Sequence, residues 1–171
     1  MSPQKKRKMN ALSVALYFLK AADKEKKLIT NLKLQKLVYY TQIWHVVFYN
    51  KKVFYEPIEA WMHGPAIPTL YRYFKVFGSN PIQLDNLKDK KLPFNDKQEK
   101  FLRNIWNVYG RKYDAGYLEA LTHSELPWQE ARRGLRLGEH SNNQINLGIA
   151  KKYYETRLKA SKQRSSKDRK N

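Results

Sequence analysis

The residues able to carry chemistry are few and scattered. The four histidines are His45, His63, His123 and His140, and none has a second histidine or a carboxylate at the spacing of a helical metal site. The absence of cysteine excludes thiolate nucleophiles, thiolate zinc sites and disulfides. Thr122, His123, Ser124 and Glu125 place hydroxyl, imidazole and carboxylate side by side. Chain neighbours point in different directions, however, whereas a catalytic triad is assembled from separated segments. These residues read better as the end of one helix and the cap of the next, joined by hydrogen bonds, so no catalytic residue is assigned. The seven glycines are isolated, so no phosphate-cradling loop declares itself. The expectation is a protein without enzymatic activity, metal or cofactor.

Recognition chemistry is better represented. The chain holds twelve Tyr, seven Phe and four Trp. Most of these rings are expected to fill a core, but Tyr71, Arg72, Tyr73 and Lys75 interleave aromatic and basic residues on one predicted helix, shortly after Trp61 and His63. Tyr, Trp and Arg are the usual anchors of protein interfaces, and rings also stack on unpaired bases. Trp61, His63, Tyr71, Arg72, Tyr73 and Lys75 are therefore the candidate partner-binding residues.

The formal charge of +19 is the most unusual bulk property. Residues 1–8 and 159–171 together carry +9, and the body between them keeps +10. Such a field attracts polyanions and weakens with salt. Lys5, Lys6, Arg7 and Lys8 at the start, with Lys162, Arg164, Lys167, Arg169 and Lys170 at the end, are the candidate nucleic-acid contacts. They support an alternative reading, a nucleic-acid-associated accessory protein binding RNA, DNA or a ribonucleoprotein complex. No zinc-finger spacing, basic zipper or helix-turn-helix signature accompanies them. No apolar run reaches the length of a membrane span, so no membrane contact is expected, and the lack of cysteine suits a cytoplasmic protein.

The elements that must position these residues are mainly helical. Leu34, Leu37, Val38, Ile43, Trp44, Val47 and Phe48 recur at spacings of three and four, which predicts a central helix from Thr30 or Asn31 to the break at Asn50 and Lys51, with an apolar stripe on one side. Val53, Phe54 and Tyr55 are β-prone and predict a hairpin with Ile58, Ala60 and Trp61. Pro65 and Pro68 then open a helix over about 66–77 that Gly78 ends. A helix over about 10–22 precedes the central one. Further helices are expected from Asn95 or Asp96 to Gly110, over about 114–122, after Pro127, and from Asn142 or Asn143 through Tyr154. The fold class is mainly α: a compact bundle of six or seven helices with a small β-hairpin. Residues 9–158 form the domain. The basic tails 1–8 and 159–171 lack the apolar residues needed to offset ordering and are expected to be disordered when free.

Four separated motifs carry a family resemblance. They are LQKLVYY over Leu34–Tyr40, QIWH over Gln42–His45, PIEAWMHGPAIP over Pro57–Pro68 with Tyr71 and Arg72 following, and LTHSELPW over Leu121–Trp128. In this order they resemble the Panacea domain of SocA-like antitoxins and phage-associated GepA-like proteins, across roughly Met9 to Leu158. The resemblance implies a helical, non-catalytic domain that neutralises a toxin encoded beside it by direct protein contact. In the SocA branch it also implies an adaptor that delivers the toxin to a protease, ClpXP.

Overall fold

The computed structural model describes residues 9–168, and its architecture is set by one helix that is enclosed on every side. This helix, α2, spans Asn31–Tyr49. The Thr30 hydroxyl caps its start by accepting from Lys33 N–H, and Asn50, in the left-handed region at φ 52°, ends it. Every residue from Lys33 to Ile43 is buried, polar ones included. Burial of Leu34, Leu37, Val38 and Ile43, each at most 1 % exposed, contributes about 1.5–3 kcal/mol apiece. The predicted one-sided stripe is corrected in this respect, and Phe48 at its end is 54 % exposed. The reason is packing from all directions, since helices from both earlier and later in the chain, and the hairpin, contact α2.

Helix α1 (Ala11–Lys24) begins with a capping box between Asn10 and Ser13 and buries Val14, Ala15, Phe18 and Leu19. Two short strands, β1 (Glu59–Trp61) and β2 (Gly64–Ala66), precede α3 (Pro68–Phe74). Helix α4 (Asp96–Ile105) starts with a capping box between Asn95 and Gln98 and continues as a π turn over Trp106–Gly110. Glycine is required at the end of that turn, because a Cβ on residue 110 would lie 2.0 Å from the Trp106 ring. Lys33 Nζ donates to the Gly110 carbonyl at 2.8 Å and secures the turn against α2. Helices α5 (Ala115–His123), α6 (Leu126–Ala131) and α7 (Leu147–Asp168) complete the bundle. Mainly helical architecture with seven α-helices and one small hairpin among the described residues agrees with the sequence expectation.

Four local expectations are corrected. The hairpin is one step later than predicted: Glu59, Ala60 and Trp61 pair with Ala66, Pro65 and Gly64, and Val53 and Phe54 form no strand. Gln42 supplies the bonds a strand partner would have made, its Oε1 accepting from Val53 N–H at 2.8 Å and its Nε2 donating to the Phe54 carbonyl at 2.7 Å. Pro65 belongs to β2, so α3 starts at Pro68, where a missing N–H costs nothing. The last helix is capped by Asn146, whose Oδ1 accepts from Gly148 and Ile149 N–H, while Gln144 and Ile145 bridge to β1 and Ile58. Finally, α7 does not dissolve near residue 159 but continues to Asp168. Its docked first turns supply the nucleus, and Lys, Ala, Gln and Arg propagate a helix well even when exposed. Residues 1–8 and 169–171 lie outside the described residues.

Candidate functional site

Three of the four motifs converge on the hairpin. Its tip is Met62 and His63, and Gly64 behind it has φ 91°, a conformation that L side chains rarely adopt. A Cβ at Gly64 would meet Thr122 Oγ1 at 2.7 Å and Lys36 Cε at 2.9 Å, so the turn rests directly on α5 and α2. Lys36, only 1 % exposed, donates from Nζ to the Pro65 carbonyl at 2.9 Å. Burial pushes its pKa down to about 7, against a smaller opposing pull from Glu119. One residue away on α2, Gln35 Oε1 accepts from Ile67 N–H at 2.8 Å. The buried polar residues of α2 thus hold the irregular backbone that leads into α3.

The outer side of the hairpin is held by α5 and α6. His63 Nδ1 lies 2.7 Å from Glu119 Oε1. Trp128 Nε1 donates to the Trp61 carbonyl at 2.9 Å, and Arg132 Nη1 donates to the Ala60 carbonyl at 2.9 Å. His123 stacks on Trp128 with ring centroids 4.1 Å apart, and its buried Nε2 has no hydrogen-bond partner among the described residues. Burial lowers its pKa, Glu119 opposing and Lys36 adding to the shift, which disfavours the protonated ring.

The predicted hydroxyl–imidazole–carboxylate neighbours diverge. Ser124 Oγ donates to the Leu121 carbonyl, and Thr122 Oγ1 to that of Glu119. Glu125 occupies the cap position of α6 without capping it through its side chain. It turns inward to accept from the Tyr40 hydroxyl at 2.9 Å and from the Tyr154 hydroxyl. The expectation of a Glu125 helix cap is therefore corrected: its carboxylate joins α2 to α7. Burial raises the Glu125 pKa, and the two donated hydrogen bonds offset part of that rise. Tyr40 also stacks on Tyr109 at 4.2 Å, whose hydroxyl accepts from Trp44 Nε1 at 2.7 Å.

On this base sits an exposed aromatic and basic face. Trp61 meets Tyr71 edge to face at 4.9 Å, and Trp61 Nε1 donates to Glu59 Oε2 at 2.6 Å. Tyr71 and Tyr73 are 39 % and 55 % exposed, which frees much of both rings for a partner. Helical spacing puts Tyr73 about 200° around α3 from Tyr71, so the two rings flank the exposed side chain of Arg72, with Lys75 following. His63 is exposed at the adjoining tip. The structure thus brings Trp61 and Tyr71 into contact and places Tyr73 at the far edge of α3. The sequence reading missed Lys36, Glu119 and Arg132, though Lys36 stands within LQKLVYY and Glu119 just precedes LTHSELPW.

Of the candidate nucleic-acid residues, Lys162 and Arg164 are exposed on α7. Lys5, Lys6, Arg7, Lys8, Arg169, Lys170 and the side chain of Lys167 lie outside the described residues.

The model of the family described as "Antitoxin SocA-like, Panacea domain" matches residues 34–129, from the start of LQKLVYY to the residue after LTHSELPW. The chain belongs to this family. The match begins in the first turn of the central helix, takes in the hairpin and α3 to α5, and ends within α6, while α1 and α7 lie outside it and still supply core residues such as Phe18 and Tyr154. No curated protein and no solved structure matches the chain. Among the described residues, no helix is long and apolar enough to cross a membrane.

Proposed function

We propose that this Panacea domain is a non-enzymatic antitoxin that neutralises a partner toxin by direct protein contact through Trp61, His63, Tyr71, Arg72, Tyr73 and Lys75. The observation that carries the reading is the pairing of half-buried Trp61 with exposed Tyr71 on a base whose backbone is pinned by Lys36, Trp128 and Arg132. Rings presented on a rigid support lose little entropy on binding, and such residues supply most of the energy of an interface. Arg72 and Lys75 add a positive rim that steers an acidic surface toward the rings. The same contact suits an adaptor that presents the bound toxin to a protease such as ClpXP.

The test is co-expression with the product of the neighbouring toxic reading frame. Growth should be restored, and a stoichiometric complex should elute in size-exclusion chromatography with light scattering. Tyr71→Glu with Tyr73→Glu should abolish both without lowering Tm. A complex that survives this double substitution, or rescue with no complex, overturns the reading.

A further inference from the structure

A groove of about 690 Å³ lies between the later turns of α1, the segment 88–92 and α4. Seven cationic and three acidic side chains line it, leaving +4. The segment is held in place by Lys20, whose Nζ donates to the Lys90 carbonyl at 2.9 Å. Lys88 Nζ reaches Asp23 at 3.9 Å, the limit of an ion pair. Glu25 is already committed, since it accepts from Arg111 Nη2 at 2.6 Å and from Trp106 Nε1 at 2.9 Å. By contrast, Lys24, Lys90 and Lys91 are exposed and enter no ion pair among the described residues.

Positive charge of this density fits either a nucleic acid or an acidic protein segment. A protein interface needs exposed aromatic or aliphatic anchors at its centre. Here Trp106 is 2 % exposed, and Tyr17 is half-buried with its hydroxyl directed to the Glu99 carbonyl. Phosphates need only spaced point charges, which lysines supply. The same lack of an exposed ring leaves nothing on which bases would stack. We infer that this groove binds the sugar–phosphate backbone of a nucleic acid without reading its sequence. The site is separate from the hairpin face and does not depend on the antitoxin reading.

The test uses the full chain and a fluorescein-labelled duplex of about 20 base pairs of arbitrary sequence, titrated by anisotropy at about 50 to 300 mM salt. Lys24→Gln/Lys90→Gln/Lys91→Gln should bind at least tenfold more weakly at about 100 mM salt. Its log–log salt dependence should be shallower by about 2 to 3, near 0.9 for each lost phosphate contact. Lys159→Gln/Lys162→Gln/Arg164→Gln removes the same charge from exposed positions on α7 and should cost less. All six side chains are exposed, so circular dichroism and Tm should not change. Tyr71→Glu/Tyr73→Glu should bind the duplex tenfold more weakly at most, because its two added charges act at a distance. The assignment is overturned by absence of binding at 50 mM salt, by equal losses in the two lysine-directed variants, or by a greater loss in the tyrosine variant. Displacement of the duplex by polyglutamate as readily as by unlabelled duplex would overturn it in favour of an acidic protein.

Discussion

The hairpin face and the basic groove use similar residue types to opposite ends. At the hairpin, charged and polar side chains face inward and are consumed in holding backbone: Lys36 by Pro65, Arg132 by Ala60, Trp128 by Trp61. The rings left outside are rigidly presented. In the groove, Trp106 is buried and Glu25 is spent on its neighbours, while Lys24, Lys90 and Lys91 enter no ion pair among the described residues. One surface offers shape and apolar area, the other offers charge. A residue's type therefore says less about its role than whether its polar atoms are already satisfied.

The sharpest way to break this comparison is Gly64→Ala. It combines a strained φ of 91° with contacts of 2.7 Å to Thr122 Oγ1 and 2.9 Å to Lys36 Cε, both on buried side chains. We expect a loss of about 3 kcal/mol and a Tm lower by about 10 °C in thermal denaturation, with partner binding lost and duplex binding retained below the new Tm. Glu125→Ala should follow closely, at about 2–3 kcal/mol in denaturant titration. It leaves the buried Tyr40 and Tyr154 hydroxyls without their acceptor.

Lys36 provides a test by pH. Its folded pKa of about 7 lies below the ordinary 10.5, so across that window the unfolded chain binds more protons. Stability contributed by this group therefore rises with pH from about 7 toward 10.5 and is lost as pH falls through that range. Lys36→Met should flatten the rise in denaturation midpoint between about pH 7 and 9.5, relative to the parent chain. The buried hydroxyls of Tyr40, Tyr109 and Tyr154, all raised chiefly by burial, act in the opposite sense only above about pH 10.

Effects on the exposed residues are smaller for stability and larger for recognition. Tyr71→Ala should change stability by less than about 1 kcal/mol but weaken the toxin complex by at least 2 kcal/mol, about 30-fold, in a calorimetric titration. Least costly is His63→Ala. Its contact with Glu119 involves an imidazole side chain 64 % exposed to water, and below about 1 kcal/mol should be lost.

Much of the fold was legible because local chemistry and global packing agree. Thr30 and Asn95, each one of two expected alternatives, cap their helices, and the hydrophobic spacing of α1, α2 and α4 reports true core residues. The site was half legible. Trp61 and Tyr71 stand out by type, but nothing in the spacing shows that their rings touch or that Glu119 reaches His63. The Val53–Tyr55 segment misleads for a definite reason: its β-prone residues are stabilised by one side chain, Gln42, from the preceding helix. The groove left no motif, because its cations come from three segments that each read as ordinary solvated charge.

The sequence by itself determined the helical class, the caps of α2 and α4, the family and the excess of positive charge, since these follow from residue type and short-range periodicity. Only the tertiary structure decided which polar groups are already satisfied. That depends on partners far away in the chain, such as Lys36 with Pro65 or Glu125 with Tyr154, and burial gives those pairings their energetic weight.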